Sequence, residues 1–364
     1  MDLRPRIIDR YIVKKFLTTF LIALLVVILL VIIFDISEKI ENFVEHEVPL
    51  KSIVLDYYVN FIPYFINMFS PLFVFITVIF FTSRMAANSE IIAILSGGIS
   101  YHRMMVPYMF SAAVIALLSL GLNLYIIPRS NASRVEFETK YVDQAYTKYS
   151  RNNVHYQIAP GQFVYVQTFS AYNNTAYKLT LETIEDNKLV SKLTAESATW
   201  DSTMDGWHLR RYFIRDYTKG LEDHVVCGET KDTVIALKLS DFYRNQKTVE
   251  TLTRTELDGL IETQKMRGDA NVMYALIEKN KRYTLPFSAF ILTIMAVSLT
   301  SRKKRGGIGF NLALGIGLAF LYILFLRFSE MFVYTGTLPA ALAMWLPNIV
   351  YTIIAAVLYR LAPK

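Results

Sequence analysis

Six stretches of the chain stay apolar for about the width of a bilayer, at residues 16–34, 57–82, 104–127, 283–300, 308–326 and 338–359. The first is uncharged over all nineteen residues, which at 1.5 Å per helical residue nearly crosses a hydrocarbon core of about 30 Å. The fourth is the weakest, being short and preceded by Lys279, Lys281 and Arg282. Runs of this kind predict transmembrane helices. The first is read as a permanent anchor. It is too long for a signal-peptide core, and Asp35-Ile36-Ser37-Glu38-Lys39 offers no small-residue cleavage site.

Between the third and fourth runs lie roughly 155 residues of mixed polarity, enough for a folded domain. Phe163-Val164-Tyr165-Val166, Tyr177-Lys178-Leu179-Thr180-Leu181 and Trp207-His208-Leu209-Arg210-Arg211-Tyr212 are rich in strand formers or alternate. Turn signals separate them at Pro160-Gly161, Asn173-Asn174, Asp186-Asn187 and Asp205-Gly206, the last a strong hairpin dipeptide. The spacing predicts an antiparallel sandwich or jelly roll. From Thr255 the pattern turns helical, with Thr255 and Asp258 spaced like a capping box. Gly268 breaks that helix, and another starts near Asp269 and runs into the fourth span, with a kink at Pro286.

Composition agrees with a membrane protein: 53% of residues are apolar, 19% are charged and the mean hydropathy is +0.33, against about 25% charged in soluble domains. Cys227 is the only cysteine, so a disulfide scaffold is excluded. The net charge of +7 is no sign of nucleic-acid binding, because the basic residues flank apolar runs and act as orientation signals. Arg4, Arg6, Arg10, Lys14, Lys15, Arg84, Arg103, Arg302, Lys303, Lys304, Arg305, Arg360 and Lys364 fall on one side, and only Lys39, Lys51 and Arg327 in the opposite short loops. Both termini are therefore expected in the cytoplasm and the large insert outside.

Catalytic chemistry is not legible. There is no Gly-x-x-x-x-Gly-Lys phosphate loop and no Gly-x-Ser-x-Gly elbow. The five histidines are scattered without metal-ligand spacing, so no metal and no cofactor is expected in this chain. The informative short segment is Asn88-Ser89-Glu90-Ile91-Ile92-Ala93-Ile94-Leu95-Ser96-Gly97-Gly98. Asn88 or Ser89 can cap a short helix, Glu90 suits its positive end and Gly97-Gly98 can end it. Ile91, Ile94 and Leu95 then form an apolar face, expected to be exposed. That face either rests on lipid headgroups or docks in a groove of an ATPase, with Glu90 paired to a basic residue there.

With these residues the chain resembles the lipopolysaccharide-export permeases LptF and LptG over nearly its whole length. Ser89-Glu90 with Ser96-Gly97-Gly98 is similar to the family's coupling segment, and Ile8-Asp9-Arg10-Tyr11-Ile12 with Thr18-Thr19 is similar to the start of LptG rather than LptF. The resemblance implies an α-helical polytopic membrane protein with six transmembrane helices and an inserted periplasmic antiparallel β jelly roll. It implies a first membrane half over 1–128 with a coupling helix at about 85–97, the jelly roll over 129–253, a helical connector over 254–282 and a second half over 283–364. It also implies a second, LptF-like permease, an LptB-like ATPase dimer that binds the ATP, and LptC, LptA and LptD to carry the lipid onward. A lipid cavity between the two permeases would be gated by their first and fifth spans. The location is then the bacterial inner membrane.

Further candidates come from local pattern. Gly309, Ala313 and Gly317 form a small-residue stripe on the fifth span, either internal packing or the gate. Lys39, Arg129, Lys279, Lys281, Arg282 and Arg327 are candidates for lipid headgroups or plain interface anchors, and Arg327 and Glu330 can pair with each other. Relatives of LptG often place lysines at the outer end of span one, where this chain has Asp35 and Glu41. Val164, Val166, Leu179 and Leu181 share one strand face and line either a core or an acyl-chain groove. The reading is a non-catalytic permease subunit that extracts lipopolysaccharide; the alternative is a membrane-anchored receptor or scaffold without transport activity.

Overall fold

The computed structural model describes residues 7–142, 150–217, 224–243, 246–269, 271–301 and 307–362. Arg4, Arg6, Lys364 and the basic cluster of Arg302, Lys303, Lys304 and Arg305 fall outside them. Helices α1 (Ile7–Glu45), α2 (Leu50–Ala87), α3 (Glu90–Ser96) and α4 (Tyr101–Tyr141) precede six strands. Helices α5 (Arg254–Met266), α6 (Val272–Thr300), α7 (Gly307–Tyr334) and α8 (Ala340–Leu361) come after them. All but α3 and α5 are long and apolar enough to cross a membrane, and together they hold the six expected spans. The helices overrun the apolar runs. At 39 residues α1 reaches roughly 58 Å, so Lys39 sits on its helix and not in a loop.

Two π-helical segments interrupt the α pattern, Ile53–Tyr58 within α2 and Leu122–Ile126 within α4. A π turn inserts a residue and rotates the remainder of the helix about its axis. The first turns the neighbours Tyr57 and Tyr58 onto the same carboxylate, Asp35, at 3.2 and 3.0 Å. The second carries Asn123, whose Oδ1 accepts from Asn67 Nδ2 at 2.8 Å, while Ser119 Oγ donates to Asn67 Oδ1 at 2.6 Å. Polar side chains buried among apolar helices are thereby satisfied within the chain.

The chain divides into two compact units, one comprising the chain up to Arg134 and from Leu276 onward, the other Val135–Ala275. In the first, α2 packs against α1 and α7, α1 against α4, and α7 against α8.

The second unit holds one antiparallel sheet of β1 (Ser150–Ala159), β2 (Gln162–Ser170), β3 (Thr175–Glu185), β4 (Lys188–Asp201), β5 (Gly206–Asp216) and β6 (His224–Thr233), paired in that order. The antiparallel β insert is as expected from the turn signals. Its described strands run up and down in chain order, without a Greek-key crossing. Asp186 and Asn187, both at positive φ, make the two-residue turn joining β3 to β4. Asp205-Gly206 is not a two-residue hairpin: Gly206 pairs with Asp201, leaving a four-residue loop in which Asp205 takes the left-handed conformation.

One face of the sheet is apolar and buried. Val164, Val166, Leu179, Leu193, Trp207 and Leu209 gather there around Phe242, from the short helix Leu239–Tyr243. Phe242 stacks on Phe169 at 4.1 Å, and Trp207 Nε1 donates to the Leu237 carbonyl at 2.8 Å. The capping box of α5 lies two residues before the expected Thr255 and Asp258. Glu256 Oε2 accepts from the backbone N–H of Thr253 at 2.9 Å, because Thr253 is the last extended residue. That hydrogen bond holds the Glu256 carboxyl below its usual range. Gly268, at φ +63°, ends the helix as expected, and α6 comes next.

A crease crosses the sheet. Asn153 on β1, Lys178 on β3 and Arg211 on β5 all have φ near +50°, and the regular pairing skips these positions and the residues opposite them. Such a backbone costs an L-residue about 1–2 kcal/mol and bends the strand that carries it. Lys178→Gly is therefore expected to leave the β unit as stable as wild type or up to about 1 kcal/mol more stable. Thr180→Gly, two residues on in ordinary strand, should cost about 0.5–1 kcal/mol. Thermal unfolding followed by Trp200 and Trp207 fluorescence compares the two, and equal losses would remove the strain argument.

Candidate functional site

Helix α3 is only seven residues long, too short to persist alone. Ile91 holds it: the side chain is 0% exposed, in one core with Ile12 and Phe16 of α1, Met85 of α2 and Tyr101, Met104 and Tyr108 of α4. Ile94 and Leu95 are half-buried against the same core. The expected exposed face of Ile91, Ile94 and Leu95 is thus turned inward. The face left open carries Ile92, 52% exposed, with Ser89, Ala93, Ser96 and Gly97. Helical spacing cannot distinguish a face that meets the same chain from one that meets a partner.

Ser89 does not cap α3, because it lies in the left-handed region at φ 61° and its side chain makes no capping bond. Asn88 instead donates to Glu90 Oε1 at 3.3 Å. Glu90 Oε2 accepts from Tyr11 OH at 2.9 Å and lies 3.5 Å from Lys15 Nζ, which also donates to Tyr11 OH at 2.6 Å. The basic partner that the sequence placed on another protein is therefore present within this chain, on α1. Burial alone raises the Glu90 carboxyl, but hydrogen bonds from Tyr11 and Asn88 and the charge of Lys15 outweigh it and hold the group below the usual carboxylate range. Beside it, Arg103 clamps Asp9 through two bonds of 2.8 and 2.5 Å, tying the start of α4 to α1. Gly98, at φ +83°, makes the exit from α3 as expected.

The basic candidates for a lipid headgroup are largely compensated by acids of the same chain. Lys39 Nζ is 2.8 Å from Asp35 Oδ1 and bonds Tyr57 OH. Glu330 lies between Arg327, at 3.2 Å, and Lys281, at 3.7 Å. Arg282 is 3% exposed and reaches Glu278 at 2.8 Å. Arg129 and Lys279 are exposed. Charge beside hydrocarbon is costly, and pairing is the ordinary remedy. Of the strand residues, Val164, Val166 and Leu179 are fully buried in the sheet core and Leu181 is half-buried against it.

On α7, Gly309, Ala313 and Gly317 are all exposed, and a Cβ added at Gly309 or Gly317 meets nothing within 4 Å. Among the described residues the stripe therefore serves no close packing within the chain. Internal close packing falls on Gly315, whose added Cβ would lie 2.3 Å from Ile79 Cδ1 of α2; a spacing rule centred on the stripe passes over it. Broad apolar surface stands open on α1, at Leu21, Leu25, Leu29 and Phe34, and on α7, at Phe310, Phe320 and Phe328. Gly315→Leu should destabilise the detergent-purified chain by about 1–3 kcal/mol through overpacking against Ile79. Gly317→Leu should leave it unchanged or slightly stabilised. Melting curves of both variants test this, and equal destabilisation would return the stripe to internal packing.

A family model described as lipopolysaccharide export system permease LptF/LptG matches residues 10–361. No curated protein matches the chain. The match spans all six membrane-length helices and the inserted β unit, which is the arrangement the resemblance implied. The chain belongs to the LptF/LptG family of lipopolysaccharide export permeases and is an integral protein of the inner membrane.

Proposed function

We propose that the chain is the LptG-like half of a permease pair that lifts lipopolysaccharide out of the inner membrane, driven by a separate ATPase dimer. Both termini and α3 face the cytoplasm and the β unit faces the periplasm, where bridge proteins of the LptC and LptA kind receive the lipid. The excess of Lys and Arg at the α3 end supports this orientation. The energetic problem explains the need for partners. Each buried CH₂ is worth about 0.8 kcal/mol, so exposing one chain of roughly fourteen carbons costs on the order of 10 kcal/mol. The chain lacks a phosphate loop, so the energy comes from another subunit. The open apolar faces of α1 and α7 suit the lipid cavity and the second permease.

The observation that carries the reading is the two-sidedness of α3. Ile91 and Glu90 root it in α1, α2 and α4, while Ile92 and Ala93 look outward. A docked ATPase that moves α3 thereby moves α1. Ile92→Asp is expected to weaken ATPase copurification about tenfold or more and to lower export, with the melting temperature unchanged. Ile91→Asp buries a carboxylate in the core and should destabilise the chain by several kcal/mol. Wild-type retention of the ATPase and wild-type export in Ile92→Asp would overturn α3 as the docking helix.

A further inference from the structure

A cavity of about 400 Å³ opens among α4, α6 and α8 at the α3 end of the helical unit. Its walls are apolar, with Met105 and Met109 of α4, Ile294 of α6 and Ala356 of α8. Thr352 brings the wall a hydroxyl, but Oγ1 donates to the Asn348 carbonyl of its own helix at 2.6 Å. The mouth has the opposite character. His102 at the start of α4 and Tyr359 and Arg360 at the end of α8 meet there, with His102 Nδ1 3.1 Å from Tyr359 OH. Arg360 is exposed and makes no ion pair among the described residues, and no carboxylate lines the cavity among them.

These features run in one direction. Along α4 the lining goes from His102 inward to Met109, and along α8 from Arg360 inward to Thr352. A ligand that fits has an anionic end at the helix termini and hydrocarbon reaching toward mid-span. The volume holds about a dozen groups of water's size, near 30 Å³ each, which is most of one acyl chain. A whole helix, at 10–12 Å across, is too wide, and a multi-acylated lipid has too many chains.

We infer that this groove binds one anionic diacyl phospholipid of the adjacent leaflet. One acyl chain lies along Met105 and Met109, and the phosphate meets Arg360 and the His102–Tyr359 pair. Basic clusters at helix ends attract anionic headgroups by the same physics. The second acyl chain stays in the bilayer. The site is lined by α4, α6 and α8 and includes neither Ile92 and Ala93 of α3, which carry the export reading, nor the open faces of α1 and α7, so each stands or falls without the other.

The test uses the full-length chain, purified in detergent with whatever subunits it retains. Native mass spectrometry monitors binding of phosphatidylglycerol and of phosphatidylcholine. Wild type is expected to keep one phosphatidylglycerol that equimolar phosphatidylcholine does not displace. Arg360→Gln should weaken that retention about fivefold, the factor for one basic residue at a membrane surface. Ala356→Trp, from an exposed position on the groove wall, should abolish it. A photoreactive residue at Met109 gives a reading independent of the folding of either variant, with a phosphatidylglycerol adduct expected. Equal retention of the two phospholipids, wild-type retention in both variants, or an adduct to lipopolysaccharide at Met109 would each overturn the assignment.

Discussion

A buried side chain, Ile91, decides how the α3 end of the helical unit is organised. It shares a core with residues of α1, α2 and α4, and a seven-residue helix has little stability without such burial. The ion pair and hydrogen bonds of Glu90 then orient α3 against Tyr11 and Lys15, while Arg103 and Asp9 hold α1 to α4. Close-packed interiors transmit displacement because they resist compression. A helix rooted in this way moves with its neighbours. The same burial explains why its outer surface is small.

Elsewhere in the helical unit the dominant constraint is the cost of charge and polarity beside hydrocarbon. Lys39 pairs with Asp35 and Arg282 with Glu278, while Glu330 is shared between Lys281 and Arg327. The π turns contribute by bringing Tyr57, Tyr58 and Asn123 to their partners. The large apolar faces of α1 and α7 remain open, in contrast with α6, whose membrane window is mostly buried. The division is chemical: these charges and amides find partners inside the chain, and the open surface of α1 and α7 is left apolar or small-residued.

The β unit meets a different demand. Among the described residues a single sheet must bury its apolar face, and Phe242 of the short helix Leu239–Tyr243 covers it, against Phe169 and Trp207 of the sheet. The row of left-handed residues at Asn153, Lys178 and Arg211 bends the strands along one line. Arg211 also pairs with Glu196 across it at 2.8 Å. The buried positions of Val164, Val166 and Leu179 are core in this arrangement.

The sequence by itself determined the six spans, the inserted antiparallel domain, the place of α3 and the stop at Gly268. Each rests on a local property: an uninterrupted apolar run, an alternation, a turn dipeptide or a glycine at positive φ. It did not determine which face of α3 points inward, since Ile91 and Ile92 are equally apolar and only the neighbouring helices distinguish them. Nor did it show that Glu90 finds its cation on α1, or that Gly315 and not Gly317 meets α2. The crease was equally invisible, because Lys178 and Arg211 carry no left-handed preference of their own. Those features depend on atoms far apart in the chain, and only the packing of the helices and the curvature of the sheet bring them within contact distance.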